Sequence, residues 1–116
     1  FHVVGASPEI LVRLEDGNVT EDIIDPLDYG MTHAPADSLR GGEPAYNAEV
    51  AHKVWNNEIQ GPIRDAVLLN SAAALVAAHG LGGRSLREAM AEKLAVVRET
   101  LDSGRCAEIM QAATAQ

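Results

Sequence analysis

Aromatic residues are scarce in this chain of 116 residues: Phe1, Tyr29, Tyr46 and Trp55 make up 3% of it. Any core is therefore built from Ala, Val, Leu and Ile, which an apolar share of 47% allows. Basic residues are also few. Nine Lys and Arg face seventeen Asp and Glu, for a net charge of −8. That balance speaks against a nucleic acid or an anionic membrane surface as partner, since both call for a basic patch. The single cysteine, Cys106, excludes an internal disulfide and fits a reducing, cytoplasmic setting. Neither a signal peptide nor a membrane-spanning run is visible. The length suits at most one ordinary domain. The start at Phe1, inside a strand-like segment, suggests an excised or incomplete reading frame.

What the chain has in quantity is helix punctuation. GPIRDAVLLNSAAALVAAHG, residues 61–80, is the longest apolar run. Pro62 suits the first helical position, and Gly80 the left-handed position just past the end. The run is apolar nearly all round, which predicts a central buried helix in which Asn70 and Ser71 need partners. Pro44 opens an earlier helix to about Asn57, with Ala48, Ala51, Val54 and Trp55 on its apolar side. Ser85 and Glu88 form a capping box ahead of Leu86, Met90, Leu94, Val97 and Leu101, which recur at helical steps as far as Gly104. Ser103 can cap a last helix from Arg105 to about Ala113, with Ile109 and Met110 facing in.

Residues 1–24 read as β. Ile10, Val12 and Leu14 alternate with Leu11 and Arg13, so the first three are expected to face the helices. Asp16-Gly17-Asn18 is the turn, with Gly17 and Asn18 able to take φ > 0, and Val19 to Ile24 is the returning strand. Ser7-Pro8 sets Phe1 to Val4 apart as a separate short strand or lead-in. Asp25 to Gly30 reads as one helical turn, capped by Asp25, opened by Pro26 and closed by Gly30. Residues 31–43, broken by Pro35, Gly41 and Gly42, read as loop. The order predicts α+β: an N-terminal β-hairpin followed by four helices, or the tail of a larger α/β domain.

Three groups of residues invite a chemical reading. Asp22, Asp25 and Asp28 could ligate Mg²⁺, but strand and turn geometry would point them apart, and a solvated acidic edge is the preferred reading. Arg40-Gly41-Gly42 could offer N–H groups to a phosphate; it lacks the Lys-Ser/Thr continuation of a P-loop, and a plain turn is preferred. His2, His33, His52 and His79 show no metal spacing, and Cys106 has no CxxC partner. No catalytic, cofactor-binding or metal residue is assigned.

Several motifs resemble the C-terminal part of the anthranilate phosphoribosyltransferase family. They are DPLDYG at residues 25–30, LRGG at 39–42 followed by Pro44 and NAEV at 47–50, GPIRDAVLLNSAAAL at 61–75, and LDSG at 101–104. Two departures stand out: WNNEIQ at residues 55–60 replaces a connector usually one residue shorter, "L/F-x-G-E-x", and Glu43 replaces the usual Asp before the Pro. Residues 3–13, VVGASPEILVR, instead resemble the "V-G-S-SPE-x-LVR" strand of anthranilate synthase component I. A boundary is thus expected between residues 1–17 and residues 18–116.

The resemblance implies a piece of a larger α/β phosphoribosyltransferase domain. The family moves phosphoribosyl from phosphoribosyl pyrophosphate to anthranilate in tryptophan biosynthesis, with Mg²⁺. Its pyrophosphate loop, anthranilate-binding residues and acidic metal pair do not occur here, so the segment is expected to be inactive alone and to bind no metal. Two alternatives stay open: a non-catalytic helical scaffold or oligomerisation module, including a homodimer, and a synthase component I fragment.

Overall fold

A computed structural model describes residues 2–6, 10–32 and 36–115. Three strands, β1 (His2–Ala6), β2 (Ile10–Glu15) and β3 (Asn18–Ile23), form an antiparallel sheet in the order β1-β2-β3. Four helices follow: α1 (Pro44–Trp55), α2 (Pro62–His79), α3 (Leu86–Asp102) and α4 (Arg105–Thr114). The predicted α+β order holds, and the lead-in segment joins the hairpin as a third strand. Ser7-Pro8, Pro35 and His33 lie outside the described residues.

Punctuation decides the helix ends. Pro62 sits in the first turn of α2, and Gly80, at φ 76°, donates its N–H to Val76 O at 2.7 Å. Ser85 Oγ accepts from the Glu88 N–H at 3.2 Å at the start of α3. Helix α1 closes on Asn57, which takes a left-handed φ of 59°. The Asn57 N–H reaches Val54 O at 3.0 Å, and the Glu58 N–H reaches Lys53 O at 2.8 Å. This paired closure normally uses glycine. Asn57 thus fills the place of the glycine in the "L/F-x-G-E" connector.

The core lies between the sheet and helices α2 and α3. Leu11, Ile24, Tyr29 and Met31 meet Val54, Leu68, Ala72, Ala73, Val76, Ala89, Met90, Leu94 and Leu101. Each such large side chain removed from water stabilises the fold by about 1.5–3 kcal/mol. In α3 the predicted seam is inward: Met90, Leu94 and Leu101 are buried, and Leu86 and Val97 pack against them.

Five expectations are corrected. The left-handed turn residues are Asp16 (φ 51°) and Gly17 (φ 80°), and Asn18 already belongs to β3. A two-residue loop of this hand matches the strand twist, so the ladder closes one residue earlier. A short 3-10 helix, Ala36–Leu39, occupies part of the stretch read as loop. Helix α2 is buried on one face only; Val67, Asn70, Ala74 and Ala78 are exposed, and Asn70 Nδ2 satisfies itself on Ala66 O at 2.8 Å. Ala48 and Ile109 also point outward.

The last correction concerns the hairpin. Among the strand side chains described, Leu11 is in the core, at 1% exposure; the side chains of Ile10 and Val12, expected to face the helices, lie outside the described residues. Asp22 pairs with Leu11 in register, and Thr20 pairs with Arg13, so these four share the inward side. Arg13 Nε lies 3.2 Å from Thr20 Oγ1 and 3.2 Å from Asp22 Oδ2. The Arg13 hydrogen bond to Thr20 and its ion pair with Asp22 let polar side chains occupy the side nearer the core, although Asp22 Oδ2 is buried there with no hydrogen bond among the described residues. Leu14 therefore lies on the other face, with Val19 and Ile23, which are 65% and 87% exposed.

Candidate functional site

The motif residues gather at three places, each a joint between elements. The first is the Asp25–Gly30 turn. Asp25 Oδ1 accepts the Leu27 N–H at 3.0 Å, Pro26 opens a 3-10 helix (Pro26–Tyr29), and Gly30 closes it at φ 77°. The turn is fastened to α3 from two sides. Arg98 Nη2 donates to Tyr29 O at 2.7 Å, and Arg87 Nη2 pairs with Asp28 Oδ1 at 3.0 Å. Tyr29 is buried there, and desolvation, followed by the Asp28 carboxylate, raises its pKa; Arg87 opposes them.

The second joint is the Leu39-Arg-Gly-Gly42 loop at the head of α1. The Asn47 side chain spans it like a clamp: Oδ1 accepts the Gly42 N–H at 2.9 Å, and Nδ2 donates to Gly42 O at 2.9 Å. A Cβ at residue 41 would stand 3.0 Å from Asn47 Oδ1, and one at residue 42 would stand 3.0 Å from the Tyr46 ring. The two glycines are thus the space that lets Asn47 close the loop. Beside it lies a groove of about 250 Å³ between the loop, α1 and α2, walled by Leu39, Tyr46, Val50, Ile63 and Val67. Arg40 stands at its rim, paired with Asp37 Oδ1 at 3.1 Å.

The third joint ties the first turn of α2 to the last turn of α3. Arg64 is buried at 7% exposure, and its Nη2 meets Asp102 Oδ1 at 2.7 Å. Its Nε is buried with no hydrogen-bond partner among the described residues. Asp102 keeps water on its far side, with its side chain 59% exposed.

These positions answer the chemical readings one by one. Asp22 faces Arg13 on the sheet, Asp25 caps the turn, and Asp28 faces Arg87, so the acidic trio is not brought together. These residues do not fit a Mg²⁺ site. Among the described residues no three His, Cys, Asp or Glu side chains gather as metal ligands. The Gly42 N–H that a phosphate would need is spent on Asn47. Glu43 makes no side-chain cap on α1, in keeping with its replacing an Asp. His52 stands edge-on to Trp55 at 5.5 Å on the open side of α1, and His79 sits in the last turn of α2. Cys106 packs partly against the core. Sequence reasoning missed the Asn47 clamp and the Arg64–Asp102 pair. The motif spacing held both, but nothing local shows that residues 38 apart meet.

A family model described as the glycosyl transferase family, a/b domain, matches residues 3–107. The chain belongs to this family. The match begins ahead of residue 18, where the motifs change in likeness. Within the family, the chain is 45% identical over 95 residues to the anthranilate phosphoribosyltransferase of Rhodococcus jostii (strain RHA1), covering 82% of this chain and 26% of the relative. It is 48% identical over 91 residues to that of Streptomyces avermitilis, covering 78% and 25%. To that of Arthrobacter sp. (strain FB24) it is 38% identical over 104 residues, covering 90% and 29%. The chain thus spans about a quarter of the length of these family members. Among the described residues no helix is long and apolar enough to cross a membrane.

Proposed function

We propose that this chain is a scaffold piece of an anthranilate phosphoribosyltransferase, the C-terminal part of its α/β domain, and that it is inactive by itself. The whole enzyme would transfer phosphoribosyl from phosphoribosyl pyrophosphate to the anthranilate amine, with Mg²⁺ held by residues outside this chain, in a cytoplasmic tryptophan pathway. The observation that carries the reading is how the motif residues are used. Asp25 is a cap, Asn47 a clamp and Arg64 a strut to Asp102, so each of the bonds they make holds the fold together. Residues 1–17, whose motif is synthase-like, are proposed as a distinct segment ahead of residues 18–116. Their described part is nonetheless hydrogen-bonded into the same sheet as β3.

The test is direct. Anthranilate fluorescence is followed with the purified chain, phosphoribosyl pyrophosphate and Mg²⁺. No decay is expected. Turnover that scales with chain concentration, and survives a second purification, overturns the proposal.

A further inference from the structure

We draw no further inference here: the strongest candidate, the apolar groove between the Leu39-to-Gly42 loop, α1 and α2 with Arg40 at its rim, is an open surface on a chain that spans about a quarter of its relatives' length, and nothing in the structure shows what covers it.

Discussion

Removing Asp102 should cost more than removing the arginine it serves. In Asp102→Ala the Arg64 guanidinium stays where it is, 7% exposed, with Nε already lacking a partner and Nη2 newly bereft. Stripping one partner from a buried pair typically costs ~3–5 kcal/mol, because the other charge is left uncompensated. Asp102 is itself 59% exposed, so water follows its departure to Nη2 and lowers the cost. About 2 kcal/mol is then expected, or a fall of about 8 °C in Tm for a domain of this size. Arg64→Met keeps the buried stem and removes the charge, while the freed Asp102 carboxylate rehydrates. That change should cost less than ~1 kcal/mol. The double variant Arg64→Met/Asp102→Ala should be no less stable than Arg64→Met alone. Urea unfolding followed by circular dichroism measures all four chains and closes the cycle. If Asp102→Ala lies within ~0.5 kcal/mol of the parent, the level of an ordinary surface change, the buried-strut reasoning is refuted.

Two further perturbations follow from the other joints. The Tyr29 pKa in the folded chain stands above its ordinary value of 10.0, chiefly through burial. Above that ordinary value the unfolded chain sheds the phenolic proton first, so the contribution is intact below 10.0 and the fold loses stability as pH climbs from there through the folded value. Urea midpoints measured from about pH 8 to pH 11 should show this alkaline loss, and Tyr29→Phe should flatten it; an unchanged slope in Tyr29→Phe counts against the assignment. Asn47→Ala opens the clamp on the glycine loop at an expected cost of about 1 kcal/mol, since both lost bonds are solvent-exposed. Amide exchange should quicken at Gly42 while the α2 core stays protected, and equal acceleration in both places would contradict a local clamp.

The helices were legible because their ends are written in local chemistry. Pro62 and Gly80, Ser85 and Gly104, and the Leu86-to-Leu101 seam act within a turn or two of themselves. The hairpin face was not legible from the same kind of rule. Alternation separates Ile10, Val12 and Leu14 from Leu11 and Arg13, but which set turns inward depends on what covers the sheet and on Arg13 meeting both the Thr20 hydroxyl and the Asp22 charge. Helix α2 misled for a related reason. Its alanines are small enough to be apolar on every side without being buried on every side, and Ala74 and Ala78 are exposed. The motif-bearing residues were found by likeness alone. Their physical use became visible only when Arg64 was seen against Asp102 and Asn47 against Gly42.

The bond from Arg98 to Tyr29 O also has a consequence in time. It spans 69 residues, whereas the hairpin and each helix form from neighbours in the chain. Closing so long a loop carries an entropy cost that local elements escape, so contacts of this span form late. During synthesis the Asp25–Gly30 turn can fold as soon as it leaves the ribosome, but it has nowhere to dock until α3 has been made. For the interval in which some seventy more residues are added, about 4–14 s at ordinary elongation rates, Tyr29 is an exposed aromatic waiting for its helix.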